Sequence, residues 1–473
     1  MVYDVVVVGA GSNGATAAYF LAKRGFKTVL LEVSREPGSK CHGATEYAPT
    51  TFHGKSRPEL AELMKKVIKN IPHLHPGDLG KGGFHYYVNK ENRVVFKFHT
   101  EAPGDGWKET YGLNNPDFVS GLVEEAVKAG VTLKTGTSVV NVLRSKGKIN
   151  GVITDRGEEI KARLTIAADG RISRIAKKIG LLKKWETTRC WYQYGETWKF
   201  RSEEEMFEYV DYGRHIFFGS TITPPYHWQA CTLTLRPGGI VTVNAPTSWT
   251  PVSDILKAKK NPRNVYIRNL YNLMEVKRML RPCKGFPDRP IQRQSTFMPG
   301  PPLQKPYMDG LIICGDAGGV GGICGQGYIA ANYVAPLLEK GDLSEEALAG
   351  YKTARLLRGV ELKSEHDEVS PTMLYFWTRG AGFGEYHGCS VDEMVENMRI
   401  AASPFILGAP RPEKVGEFGY VELGSWIIAT KINYILTLYS PFLRSPNIFP
   451  RILKWVQKNQ ESFNKNKVFD HPF

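Results

Sequence analysis

The sequence predicts a mixed fold, an α/β unit interrupted by a mostly antiparallel sheet and followed by helices. Three observations predict it. A strand, a glycine turn and a helix open the chain. A second strand–glycine–helix unit appears near residue 310. The stretch from 187 to 293 is dense in aromatics and short β-like runs. A length of 473 residues suits two or three structural units, because single cores stop growing near roughly 250–300 residues.

Val5–Val8 are four consecutive β-branched residues, the pattern of a strand buried on both faces of a parallel sheet. Gly9-Ala10-Gly11-Ser12-Asn13-Gly14 follows at once. The next residues read as a helix ending at Gly25, and Thr28–Leu31 as a second strand ending in Glu32. This order gives each glycine a task. Gly9 permits the tight turn, Gly11 lets backbone approach a diphosphate, and Gly14 lets helix and strand pack closely. The helix N-terminus presents free N–H groups and a positive dipole end to the anion. Glu32, at the second strand's end, is placed to accept bonds from ribose hydroxyls. A glycine-rich turn without a ligand is the alternative, and the strand–helix context with its acidic partner argues against it.

Asp117–Ala129 has helical spacing and is stopped by Gly130. Strands follow at Val131–Leu133, Val139–Val142 and Ile149–Thr154, with a turn at Lys146-Gly147-Lys148. Ala162–Ala168 is a further strand, leading into Asp169-Gly170 and a short helix at Ile175–Lys178. From Thr187 to Arg293 the aromatics read as packing within an inserted sheet. Gly310–Cys314 is a strand, Gly315-Asp316 its motif, and Tyr328–Lys340 a helix stopped by Gly341. A carboxylate at a strand end before a glycine-rich helix start suits a ribityl chain and a phosphate.

Together these motifs resemble the FAD-dependent oxidoreductases of the p-hydroxybenzoate-hydroxylase-like group. Within it the chain is similar to the geranylgeranyl reductase family and the related electron-transfer-flavoprotein:quinone oxidoreductases. The likeness covers residues 1–345 with gaps. It implies a fold of the α/β plus α+β class, with a Rossmann-type FAD-binding domain at 1–186 and 294–345. It further implies an antiparallel-sheet substrate domain at 187–293 and a helical C-terminal region at 346–473. By position, Gly9, Gly11, Ser12, Gly14 and Glu32 would bind the ADP half of FAD, with Val139 meeting the adenine. Asp169 and Gly170 form the middle motif. Asp316 would bind the ribityl or diphosphate region, and Gly325 and Gly327 would lie near the flavin. Cys41-His42-Gly43 matches the place where the family commonly has Pro-Cys-Gly, with Lys40 here in place of proline. Cys41 and His42 are the candidate proton donors, and the alternative for Cys41 is a small buried hydrophobe. Tyr226 and Trp228 resemble the start of a Tyr-x-Trp-x-Phe-Pro substrate motif that Gln229-Ala230-Cys231 does not complete. Two further departures are Asn114-Asn115, where relatives carry an arginine, and Gly321-Gly322-Ile323, where relatives carry a proline.

The resemblance implies reduction of C=C bonds in isoprenoid chains of lipids. Electron transfer to a quinone and flavin monooxygenation are the alternatives. The partners would be a prenyl lipid or quinone and an electron donor, either a ferredoxin-like carrier or NAD(P)H. No second G-x-G-x-x-G follows a strand, so no dedicated nicotinamide domain is expected. The seven cysteines, at 41, 190, 231, 283, 314, 324 and 389, contain no C-x-x-C. An iron–sulfur cluster is therefore not expected, and neither is any other metal site. The odd, sparse count also argues against a disulfide framework and for a reducing compartment.

With 62 Lys+Arg against 47 Asp+Glu, the net charge is +15. Zinc-knuckle spacings, RNP-like segments and dense basic blocks are all missing, which argues against nucleic acid. The excess falls at Lys65–Lys69, at Lys257–Arg281 and among the C-terminal aromatics from Trp426 to Val456. That last mixture fits interfacial helices on an anionic bilayer, or helices that simply cover the catalytic domain. The N-terminus carries no secretory pattern, and no apolar run reaches about 18 residues. The expected location is cytoplasmic, peripheral on the inner face of the cell membrane.

Overall fold

The structure is a computed structural model. It describes residues 2–41, 44–47, 57–74, 83–88, 92–100, 111–181, 189–218, 231–251, 267–299, 303, 305–318 and 324–356. His42, Tyr226, Trp228 and the helices expected beyond 356 lie outside the described residues.

Along the chain run β1 (Val2–Val8), α1 (Ser12–Lys23), β2 (Thr28–Leu31), β3 (Ala44–Tyr47), α2 (Pro58–Lys69), β4 (His73–Leu74), β5 (Gly83–Val88) and β6 (Val94–Thr100). There follow β7 (Tyr111–Asn114), α3 (Asn115–Lys128), β8 (Thr132–Lys134), β9 (Val139–Ser145), β10 (Lys148–Thr154), β11 (Glu159–Ala167) and α4 (Arg174–Lys178). Next come β12 (Arg189–Lys199), α5 (Glu203–Tyr209), β13 (Arg214–Phe218), β14 (Cys231–Arg236), β15 (Ile240–Pro251), α6 (Arg268–Asn272), α7 (Met274–Leu280) and β16 (Gln292–Pro299). The described chain closes with β17 (Tyr307–Met308), β18 (Leu311–Ile313), α8 (Gly325–Lys340), α9 (Glu345–Leu348) and α10 (Tyr351–Leu356).

The first sheet has the order β17-β18-β11-β1-β2-β8, with β10 pairing β11 and β9 pairing β10. Its central strands are parallel: β1 with β2 and β11, β2 with β8, and β11 with β18. Both faces are covered. Val5 and Val7 pack with Ala15, Ala18, Leu21 and Val334, while Val6 and Val8 pack with Val152, Ile160 and Ile175. This explains the unbroken valine run, since each buried side chain contributes about 1.5–3 kcal/mol. Lys146 and Gly147 both have positive φ in the turn between β9 and β10, the backbone that a two-residue hairpin requires. Register matters most for the site. Val8 lies opposite Leu31 and Ala167, and Ala167 opposite Ile313. The carboxyl ends of four strands therefore share one edge, where ligands of such sheets bind.

The second sheet runs β16-β12-β15-β14-β13-β5-β6. All its pairings are antiparallel except β13 with β5, which is parallel. Its membership differs from the expected 187–293. Residues 83–100, read with the first domain, add β5 and β6, and β16 continues to Pro299. The reason is that the β5–β13 pairing joins segments about 130 residues apart, and no local pattern encodes it. Trp198, Leu233, Leu235, Val241 and Val243 form its core with Leu270, Val276 and Leu280 of α6 and α7. A small sheet, β3-β7-β4, lies between these two units in the chain and was not expected. Helix α2 was likewise missed. It packs on α3, where a Cβ on Gly121 would stand 2.7 Å from Val67 Cγ1. Among the described residues no helix is long and apolar enough to cross a membrane.

Candidate functional site

The site forms where the three motifs leave the first sheet. Gly9 has φ +97°, and a Cβ there would lie 2.4 Å from the Ala168 carbonyl oxygen. A Cβ on Gly14 would lie 1.9 Å from the Gly9 carbonyl oxygen. Both positions exclude a side chain because backbone, which cannot swing aside, fills the space. Gly11 differs. It caps α1 with an ordinary φ of −67°, and among the described residues nothing stands within 4 Å of the Cβ it lacks. Among the described residues no side chain caps the helix start at Gly11 and Ser12. An uncapped helix start beside that space is the arrangement that takes a phosphate.

Glu32 is fixed by backbone. Its Oε2 accepts from Ala10 N–H at 2.9 Å and its Oε1 from Ser34 N–H at 2.8 Å. Each carboxylate oxygen retains lone pairs for a diol. The Glu32 carbonyl accepts from Thr137 N–H at 2.8 Å, which brings the start of β9 and Val139 to the same edge. These residues therefore fit an adenine dinucleotide: a cradle shaped by missing Cβ atoms, an uncapped helix end and a held carboxylate.

The middle motif is largely turned inward. Asp169 Oδ1 accepts from Ser173 Oγ at 2.6 Å and Oδ2 from Ile175 N–H at 3.2 Å, while Ser173 Oγ accepts from Ala176 N–H at 3.0 Å. The Asp169 carboxylate thus ties the start of α4. Burial pushes its pKa up against these hydrogen bonds. Gly170, with φ +81°, takes a left-handed turn beside open space.

In the third motif, Asp316 lies on the turn Gly315–Gly318 after β18, and its Oδ2 accepts from Arg171 Nε at 2.9 Å. This pair links the middle and third motifs. Asn13 links the first to the third, because its Oδ1 accepts from Gly327 N–H at 3.0 Å. A Cβ on Gly327 would lie 2.0 Å from the Asn13 carbonyl oxygen, so α1 and α8, which starts at Gly325, meet at van der Waals distance. From beyond the expected domain, Arg355 clamps the same segment. Its Nη1 donates to the Gly318 carbonyl at 2.9 Å, its Nη2 donates to the Leu303 carbonyl, and its own carbonyl accepts from Gln326 Nε2 at 3.0 Å. Burial pulls this guanidinium down to about 10, still cationic at neutral pH. Arg171, Asn13 and Arg355 were not anticipated. Asn13 and Arg171 sit inside or beside motifs and were open to suspicion, whereas only the docking of α10 shows Arg355.

Cys41 closes the turn after β2, its N–H donating to the Gly38 carbonyl at 2.7 Å. Gly38 has φ +83°, with the Pro116 carbonyl oxygen 2.4 Å from where a Cβ would be. The turn is thereby seated on the start of α3. Burial pushes the Cys41 thiol above the ordinary 9.0, the Glu32 and Asp316 carboxylates act in the same direction, and Arg171 opposes them. Charges from all three motifs thus reach one half-buried sulfur. By contrast Cys231, Cys283, Cys314 and Cys324 are buried, and burial pushes each to about 12.

Residues 2–196 match the FAD binding domain family. The digeranylgeranylglycerophospholipid reductase of Methanocaldococcus jannaschii is 29% identical over 366 residues, covering 74% of this chain and 81% of that protein. Protein FixC of Escherichia coli K12 is 28% identical over 188 residues, covering 40% of this chain and 41% of FixC. Among solved structures, a geranylgeranyl bacteriochlorophyll reductase-like protein from Thermoplasma acidophilum superposes with a TM-score of 0.66 at 18% identity, covering 97% of this chain and 99% of that one. The chain is an FAD-dependent oxidoreductase, similar over most of its length to a digeranylgeranylglycerophospholipid reductase and, over a shorter stretch, to protein FixC.

Proposed function

We propose that this flavoprotein saturates carbon–carbon double bonds in isoprenoid, geranylgeranyl-type chains of lipids. The observation that carries the reading is the convergence of three motifs and Cys41 on one sheet edge. The substrate class comes from the Methanocaldococcus jannaschii relative, matched over 74% of this chain. Gly9, Gly11, Ser12 and Gly14 would hold the cofactor's diphosphate, Glu32 its ribose and the Val139 backbone its adenine. Asp316, oriented by Arg171, would meet the ribityl chain, with Gly325 and Gly327 beside the ring. Asp169 and Gly170 shape the edge between them.

Bound FAD supplies the hydride chemistry, which belongs to the cofactor. The protein supplies position, exclusion of water and a proton. The Cys41 thiol keeps its proton at neutral pH because burial and two carboxylates disfavour the thiolate. That suits a proton donor or a positioning group and not a thiolate nucleophile. His42 is the second candidate donor. The electrons would come from a ferredoxin-like carrier or NAD(P)H, with peripheral membrane contact through the C-terminal region.

Anaerobic, dithionite-reduced protein incubated with a geranylgeranyl lipid tests the reading by mass spectrometry. The expected result is a gain of two hydrogens per bond reduced, with matching flavin reoxidation. The FixC likeness favours a second reading, electron transfer to quinone. Quinone-dependent reoxidation without lipid saturation would establish that reading instead. If Cys41→Ala leaves both turnover and flavin binding unchanged, Cys41 has no direct role.

A further inference from the structure

Register gives the second sheet two unlike faces. One is the apolar core around Trp198, Leu233 and Val243. The other carries two polar cross-strand rows, Thr234–Thr242–Thr197 and Thr232–Asn244–Gly195–Gln294. This is not a solvated face, because Thr197, Thr232, Thr234, Thr242 and Asn244 are all buried. Gly195 makes room for the amides: a Cβ there would press on Asn244 Oδ1 at 2.7 Å and Gln294 Nε2 at 2.9 Å. Thr197 Oγ1 and Gln294 Oε1 are buried without a hydrogen-bond partner among the described residues.

Arg236 extends from the same face and is 7% exposed. Its Nε donates to Asn114 Oδ1 at 2.5 Å and its Nη1 to Thr242 Oγ1 at 3.1 Å. Both acceptors are neutral, and among the described residues no carboxylate bonds the guanidinium. The Asp117 carboxylate acts on it from further off and is itself bonded by Asn114 Nδ2 at 2.9 Å. The position adjoins the site. Asn114 ends β7 and pairs with Ala44, three residues past Cys41. Pro116, two residues on from Asn114, seats the Cys41 turn at Gly38. Arg236 therefore stands on the same seam as the turn that carries the thiol.

A buried cation with neutral partners and unused donors in a planar fork suits an anion, above all a phosphate. An isoprenyl chain against the polar rows would leave Thr197 Oγ1 and Gln294 Oε1 without partners. We propose that Arg236, with Thr242 and the polar rows, binds the phosphate of the lipid substrate's headgroup, so that this wall reads the polar end of the molecule. The proposal rests on the isoprenoid-lipid reading above. Two sources of phosphate fit the chemistry, the headgroup and the diphosphate of FAD, and FAD-loaded protein separates them.

The test titrates FAD-loaded full chain calorimetrically with glycerol phosphate and with glycerol. Wild type should bind the phosphate and not glycerol. Arg236→Gln should weaken that binding by about tenfold or more while FAD affinity holds within about twofold, and Arg236→Lys should recover part of it. Thr242→Val, which removes only one anchor, should give a smaller loss and serves if Arg236→Gln fails to fold. In turnover, Arg236→Gln should raise KM for a geranylgeranylated glycerol phosphate about tenfold and leave kcat and the KM for a headgroup-free isoprenoid alcohol unchanged. The proposal is overturned if wild type binds glycerol phosphate no better than glycerol, if Arg236→Gln binds it as wild type does, or if the loss falls on FAD affinity. Phosphate binding through Arg236 without prenyl saturation would uphold the headgroup site and overturn the reductase reading.

Discussion

The two large sheets make their sites by opposite means. At the edge of the first, backbone does the work: Gly9 and Gly14 are defined by the Cβ atoms they lack, and Glu32 is held by two N–H groups. On the second, side chains from four strands build the covered polar face, and no single segment contains it. A backbone-built site tolerates no change at a few positions and is indifferent to most others. A side-chain-built face spreads its tolerance over many positions and is open to tuning for a substrate.

The largest expected effect tests the first half of that contrast. Gly14→Val must displace the Gly9 carbonyl, and flavin fluorescence titration should show a loss of FAD affinity on the order of 100-fold, from about 3 kcal/mol of overpacking. Gly11→Ala is the control. It meets no atom of the described residues and keeps an ordinary φ, so the melting temperature of the FAD-free chain should hold while FAD affinity drops. An unchanged affinity would mean that the open room is not where the diphosphate sits.

Next in size is Glu196→Ala on the core face of the second sheet. The fully buried Glu196 carboxylate accepts from the Tyr194 and Tyr271 hydroxyls, both at 2.9 Å, and Tyr271 accepts in turn from Trp198 Nε1 at 2.7 Å. Removing the carboxylate deprives two buried hydroxyls of their acceptor and Arg293, 3.6 Å away, of its ion-pair partner, and should cost about 2–4 kcal/mol in chemical denaturation. FAD affinity at 25 °C should stay within about twofold, since the cradle lies on the other sheet. A parallel fall in FAD affinity would break the separation of the two regions.

A smaller effect is expected at Glu32. Glu32→Gln retains one acceptor oxygen and should weaken FAD binding by about 1–2 kcal/mol without changing the fold, as checked by titration and circular dichroism.

The mildest prediction concerns Cys41. Its thiol is raised above 9.0, so the protonated form is favoured in the folded chain below that value, and the advantage is lost as pH rises through the folded pKa. Alkylation of native FAD-free protein with iodoacetamide, followed by peptide mass mapping, should modify Cys41 before Cys231, Cys283, Cys314 and Cys324. The rate should be slow at neutral pH and climb only above the ordinary thiol range. Prompt modification at neutral pH would mean a stabilised thiolate and would reverse the role assigned to the residue.

The valine run, the glycine spacing and Glu32 were legible because each follows from a local requirement: a doubly covered strand, a turn with φ near +97° at Gly9, and a carboxylate at a strand end. Asp316 was placed by the same strand–turn–helix grammar, and Val139, Gly325 and Gly327 by the family resemblance. Asp169 was recognised by its motif, but its bonds to Ser173 and Ile175 depend on how the turn folds back. Arg355 and Arg236 were not legible at all. Gly318 lies 37 residues from Arg355 and Asn114 lies 122 residues from Arg236, and nothing near either arginine in the sequence points to those contacts.

By itself, then, the sequence determined which segments form the candidate cradle, because backbone conformation and packing periodicity are properties of short stretches. The tertiary structure decided how the second sheet was assembled. It brought residues 83–100 into the second sheet, turned a row of threonines inward and set Arg236 against Asn114. Strand register is fixed by pairing partners far apart in the chain, and a slip of one residue would exchange the two faces.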